Sequence, residues 1–223
     1  MNRVLPIVLA IAGLLSMAWL AREAIVAGSA NALVYGASKE MGTWIAARTQ
    51  PADATRASVR GDLEQAALLD PRDPAVHELL GLLEAVDVEG QKQAAAHFTR
   101  ALELRPTAPY TWANLARSRY LAGDTGAGFE LALVRAAQFG PSEREVQRTV
   151  ADFGLAMYAE VAPATRSAID SMVVAGFKRN SLEMLQIADR RGRLDLVCRR
   201  LAAEPRTPDR KWSQLCQSTE ATS

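Results

Sequence analysis

The sequence predicts an all-α protein: an N-terminal transmembrane helix followed by an α-solenoid of about three to four helix pairs. Three observations predict it. Val4–Ala21 is an uncharged run of 18 residues (VLPIVLAIAGLLSMAWLA), close to the roughly 20 apolar residues that a bilayer-spanning helix needs. Pro71, Pro106 and Pro141 recur at intervals of 35 residues, each closing a segment of helical periodicity. The same interval relates Ala66, Ala101 and Ala136, then Leu69, Leu104 and Phe139, then Leu63, Phe98 and Leu133. Columns that share one spacing of 20–50 residues are the signature of stacked supersecondary units.

The order of elements follows from the N-terminus. Residues 1–22 read as the anchor, framed by Arg3 and Arg22. A cleavable signal peptide is the competing reading, because Ala30-Asn31-Ala32 has the small-x-small form of a cleavage site. That site lies far downstream, beyond Arg22-Glu23, and the apolar run exceeds the usual h-region of about 7–15 residues, which favours the uncleaved anchor. The charge bias across the span places the N-terminus in the cytoplasm and the remainder in the periplasm, the topology of a single-pass protein of a bacterial inner membrane. Residues 23–50 are rich in small side chains and read as a helical stalk; Tyr35 and Trp44 either rest near headgroups or, preferably, pack on the domain. The repeat domain is read as residues 51–203 and a polar tail as 204–223.

Within the repeat domain, Pro74–Leu83 and Lys92–Leu104 form one helix pair around Gly90, and Tyr110–Leu121 and Phe129–Phe139 a second around Gly123-Asp124. Ser142–Tyr158 with Ala164–Val174, then Ser181–Asp189 with Leu194–Leu201, extend the array. Proline ends a unit because it lacks the helical N–H and restricts the residue before it. Ala101, Pro106, Trp112, Leu115, Ala136 and Pro141 are the expected repeat core, with Ala116 and Arg119 on the same face as Trp112.

Chemistry has little raw material. The chain has two histidines and two cysteines, with 26 basic against 25 acidic side chains. That composition disfavours zinc sites and Ser-His or Cys-His catalysis, and the near-zero charge disfavours nucleic acid as a partner. No phosphate loop, dinucleotide fingerprint or nucleophile elbow is present. The expectation is therefore a non-enzyme without cofactor or metal. Binding is what stacked helix pairs support, through a concave surface lined by the first helix of each pair. Tyr110, Asn114, Arg117 and Leu121, joined by Arg148 one unit on, are the candidate partner-binding groove, and Ala113 is read on the same side. Asn114 and Arg117 are one turn apart and suit a backbone carbonyl or carboxylate; an ordinary polar helix face is the alternative. A second charged surface is the stretch Lys178–Lys211, with ten Lys/Arg against five acids, which reads either as an anion-attracting surface or as a solvated cap. Cys198 and Cys216 are either a disulfide in an oxidising compartment or two separate thiols.

The repeat resembles the tetratricopeptide repeat (TPR). Trp112-x2-Leu115-Ala116 matches the first half of its pattern, and Ala94-x3-Phe98-x2-Ala101-x4-Pro106 the second. His77 and Gln147 stand where neighbouring units would have the tryptophan, and Phe129 occupies a small-residue column. The order of anchor, stalk and repeats, with Thr99–Arg119, Ala136–Glu145 and Ile187–Cys198, resembles the VpsP-type exopolysaccharide biosynthesis proteins. That resemblance implies a scaffold beside polysaccharide synthesis or export components as protein partners, with no catalytic residues. A general envelope adaptor, for a secretion or division complex, is the other expectation.

Overall fold

A computed structural model describes residues 4–47, 49–202 and Cys216. The tail read as residues 204–223 falls, Cys216 apart, outside the described residues, as do Arg206, Arg210 and Lys211 of the basic stretch. The described residues form helices α1 (Val4–Ala47), α2 (Asp53–Leu69), α3 (Pro74–Glu84), α4 (Gln91–Leu104), α5 (Pro109–Leu121), α6 (Ala127–Phe139), α7 (Arg144–Ala156), α8 (Pro163–Arg179), α9 (Ser181–Arg190) and α10 (Leu194–Ala202), with no strand among them. They divide into two compact units, Met1–Leu83 and Glu84–Ser223. The boundary falls inside the segment read as the first repeat pair, because α2 and α3 share a core with α1.

In the first unit, α1 runs unbroken for 44 residues, about 66 Å at a rise of 1.5 Å per residue. The division between anchor and stalk at residue 22 is not a helix end. No proline lies between Pro6 and Pro51, and Arg22 and Glu23 pair with each other at 2.7 Å. The helix is long and apolar enough to cross a membrane. Val8, Leu9, Ile11, Leu14, Leu15, Met17, Trp19 and Leu20 are all more than half exposed, so its N-terminal part is apolar all round, as a lipid-facing span requires. Farther along, Ala30, Ala37 and Met41 recur on one face and are buried. Ala37 and Met41 belong to one cluster with Val59, Leu63 and Ala66 of α2 and Val76, Leu80 and Leu83 of α3, with Trp44 packed against it. Tyr35 points away and is exposed. The C-terminal half of α1 thus covers the apolar faces of α2 and α3.

The 35-residue period is a period of backbone geometry. The N–H groups of Asp70, Arg105 and Gly140 donate to the carbonyls of Ala66, Ala101 and Ala136 at 2.8, 2.8 and 2.9 Å. Those of Asp73, Ala108 and Glu143 donate to Asp70, Arg105 and Gly140 at 3.3, 3.3 and 3.1 Å. The three alanines are wholly buried, as are Leu63, Phe98 and Leu133 beside them. Pro106 and Pro141 depart from the expected core: both are exposed in the turns that follow α4 and α6. Their role is to stop a helix, and a ring at the apex of a turn meets solvent. The period then stretches. Gly176, near the end of the 17-residue α8, takes the small-residue place 40 residues after Ala136, and a Cβ there would lie 2.7 Å from Met184 Sδ.

In the second unit, α5 packs on α4, α6 and α7; α7 packs on α8 and α9; and α8 packs on α6, α9 and α10. Hence α5, α7 and α9 lie side by side in one layer, backed by α6, α8 and α10. Two of the hairpin turns are closed alike. Gly123 (φ 77°) and Gly192 (φ 63°) adopt the left-handed conformation, and the following N–H of Asp124 and Arg193 reaches back to Arg119 and Ala188, both at 2.8 Å. The layers meet closely at Gly154, where an added Cβ would stand 2.5 Å from Ile169 Cγ1. Ile169 is fully buried and has no room to yield. Gly154→Ala is expected to cost about 1–3 kcal/mol by overpacking, offset only in part by better helix propensity; thermal unfolding measures it, and an unchanged midpoint would contradict this packing.

Candidate functional site

Tyr110, Asn114, Arg117 and Leu121 recur at i, i+4, i+7 and i+11, which sets them on one line of α5. Helices α4, α6 and α7 cover the rest of α5, burying Thr111, Ala113, Leu115, Ala116 and Ser118. Ala113, read toward the groove, is therefore core, and what α5 leaves to solvent is a narrow strip. Along it Tyr110 and Leu121 are exposed at 48% and 39%, Asn114 is half-buried and Arg117 is exposed. Arg117 makes no ion pair with another described residue.

The strip is held from both ends. At its start the Tyr110 hydroxyl donates to the Glu143 carboxylate at the N-cap of α7. That bond, then desolvation and the nearby negative charge, push the phenol's pKa above its ordinary value. Trp112 is half-buried, not fully enclosed; its indole N–H donates to the Pro106 carbonyl at 2.7 Å. Arg119 pairs with Asp124 at 2.6 Å, closing the α5–α6 turn.

Arg148 joins the strip's neighbour helix, but not as a free cation. It lies 3.4 Å from Glu145 and 3.9 Å from Glu183, and Arg144 approaches Glu183 at 3.2 Å. Glu183 is aimed by the start of α9: the Asn180 side chain accepts from the Glu183 N–H at 3.3 Å and donates to its carboxylate at 3.1 Å. Arg148 thus serves the α7–α9 contact, and Asn114 and Arg117 are the groups of the strip left for a partner.

Sequence reasoning missed the other end of that contact. Asp152 accepts from Arg191 at 2.8 Å and from Arg190 at 3.4 Å, and the Arg191 guanidinium lies 5.9 Å from the Tyr120 ring and 5.7 Å from the Phe153 ring. The hydrogen bond to Asp152 raises the Arg191 pKa against desolvation. Much of the basic stretch is neutralised in this manner, with Arg199 on Asp195 at 2.9 Å and Arg200 on Asp170 at 2.6 Å. Cys198 and Cys216 are joined by a disulfide, with Cα atoms 5.6 Å apart.

Among the described residues no group of three or more His, Cys, Asp or Glu side chains could hold a metal ion. Compared with models of known protein families and with curated protein sequences, the chain matches none.

Proposed function

We propose that this chain is a non-catalytic adaptor, held in a bacterial inner membrane by α1 and binding protein partners in the periplasm through α5 and its neighbours. The observation that carries this reading is the α5 strip: a hydrogen-bonding pair, Asn114 and Arg117, between two exposed apolar side chains, on a helix otherwise locked in the core. Exposed apolar anchors flanking directed donors suit a peptide or helix of a partner protein. The stacked hairpins of the second unit and the 35-residue period support a TPR-like solenoid of three to four pairs as the framework. The disulfide supports an oxidising compartment, hence a cytoplasmic N-terminus.

The resemblance to VpsP-type proteins directs the proposal to exopolysaccharide synthesis or export. An adaptor of a secretion or division complex is the second reading, favoured by the strip itself, which has features for protein and none particular to a polymer. Capture of partners from native membranes by the full chain tests both. Asn114→Ala/Arg117→Ala, which touches no core column, is expected to release the partner: a charged hydrogen bond is worth about 1.5–3 kcal/mol, roughly 10- to 150-fold in affinity. Retention of every partner by a folded double variant would sink the α5 interface. Export-channel or glycosyltransferase components among the captured proteins would select the first reading over the second.

A further inference from the structure

Helix α1 sets how far the rest of the first unit stands from a bilayer. About 20 helical residues fill a hydrocarbon core of about 30 Å, which from Val4 carries α1 to Glu23 and puts the Arg22–Glu23 pair at the boundary. Beyond that pair Ala24, Ile25, Ala27, Gly28 and Ser29 are exposed, and Ala30, at 3% exposure, is the first buried residue of the helix among those described.

That burial marks where α2 ends. Residues 48–52 alone separate α1 from α2, and the two helices pack together, so α2 runs back antiparallel along α1. Its 17 residues retrace α1 from Ala47 to about Asn31, in keeping with the shared cluster of Met41 and Ala37 with Val59 and Leu63. The α2–α3 turn, Asp70–Asp73, therefore hangs beside Ala30 on the side of the unit that the span approaches. Ala30 lies about 10.5 Å along the helix from Glu23. The headgroup layer fills about 5–8 Å of that distance. What is left, about 3–5 Å, is within reach of the turn, of a long side chain at its apex and of the usual helix tilt of about 20°.

The apex suits that place. Pro71 and Arg72 are exposed. Both acids of the turn hold an oxygen on the backbone: Asp70 Oδ1 accepts from the Arg72 N–H at 3.1 Å and Asp73 Oδ1 from the Ala75 N–H at 2.9 Å. These bonds fix the loop and leave Arg72 at its exposed tip. Leu68, in the last turn of α2, is 85% exposed, so this end of the unit offers apolar as well as cationic surface. A long cationic side chain beside apolar surface is what a membrane interface accommodates.

We propose that the α2–α3 turn rests on the bilayer that α1 spans, with Arg72 against lipid phosphates. The partner is the phospholipid surface itself, and the contact rests on the reading of α1 as an anchor. Together with the unbroken α1, it fixes the height of the first unit above the membrane.

Spin labels on introduced cysteines test the contact, in the full chain reconstituted into vesicles of phosphatidylethanolamine and phosphatidylglycerol. The accessibility of each label to oxygen and to a water-soluble nickel chelate reports its depth. Cys198 and Cys216 are joined and take no label. Labels at Met17→Cys in the span, Pro71→Cys at the apex and Ala57→Cys, exposed near the far end of α2, are compared. The Met17 label is expected to meet oxygen and not nickel, and the Pro71 label to be shielded from nickel at least threefold relative to the Ala57 label. Arg72→Glu should remove most of that shielding. Seven alanines inserted after Ala27 lengthen α1 by about two turns, or 10.5 Å, and keep its face; they should abolish the shielding and leave the Met17 label unchanged. A Met17 label open to nickel would overturn the anchor and the contact together. A deep Met17 label with a Pro71 label as open as that of Ala57 keeps the anchor and overturns the contact, and shielding that survives the insertion overturns it too, because protein and not lipid then covers the turn. If Pro71→Cys fails to fold, a label at Leu68→Cys takes its place in the same comparison.

Discussion

Replacing Phe129 by alanine is expected to lower stability by about 3–5 kcal/mol, the range for a large aromatic removed from a closed core. Phe129 has no exposed surface. The Tyr120 ring lies 6.1 Å from it and 5.1 Å from the Phe153 ring, so one aromatic row joins α6, α5 and α7. Arg191 stands over the Tyr120 and Phe153 rings of this row, tying α9 to it. Truncation would open a cavity where three helices meet, and the neighbouring backbone cannot collapse without separating the pairs. Phe129→Leu keeps most of the volume and should cost less than half as much. Equilibrium unfolding in urea provides the measurement; a loss below about 1 kcal/mol for the alanine variant would mean that the row does not hold the layers together.

This residue also shows what the sequence made legible. Ala94 and Phe129 share a column and both are fully buried, so the period located the position correctly while its size followed local neighbours. The turns were legible for the same reason. A helix-ending N–H bonded to an alanine carbonyl four residues back is local, and a repeated sequence repeats it. Contacts between pairs were not legible. Asp152 reaches Arg191 across 39 residues, and Arg144 reaches Glu183 across the same distance in the chain, which requires knowing that α9 lies on α7. Nor was the stretch to 40 residues at Gly176, which moves the small-residue place away from the position that strict repetition would assign. Of the candidate groove, Tyr110, Asn114, Arg117 and Leu121 were readable as one line of one helix. What the sequence did not show for Arg148 is its nearness to Glu145 and Glu183, the second of which comes from a helix distant in sequence. That anchor and stalk are one continuous helix was less legible, because charge ends an apolar run while the helix continues through the Arg22–Glu23 pair.

The second large effect concerns Trp112, whose column contains a histidine and a glutamine in the adjoining units. Volume cannot explain why tryptophan and glutamine share a column, but a shared donor can. Trp112 Nε1 donates to the Pro106 carbonyl at 2.7 Å, and Gln147 Nε2 donates to the Pro141 carbonyl at 2.7 Å, each reaching back six residues to the proline that ends the preceding helix. The side chain thus clamps the turn to the first turn of the next helix. Trp112→Ala removes both the clamp and a half-buried ring, and is expected to cost about 2–3 kcal/mol, below the range for full enclosure. Trp112→Phe keeps most of the ring and removes the donor, for about 0.5–1.5 kcal/mol. Trp112→Gln restores the donor that Gln147 uses but loses the ring, so it should fall between wild type and alanine. Thermal and urea unfolding of the three variants separate the contributions. If the phenylalanine variant is as stable as the wild type while glutamine is as poor as alanine, the column is one of ring packing, and the hydrogen bond to Pro106 adds nothing to the fold.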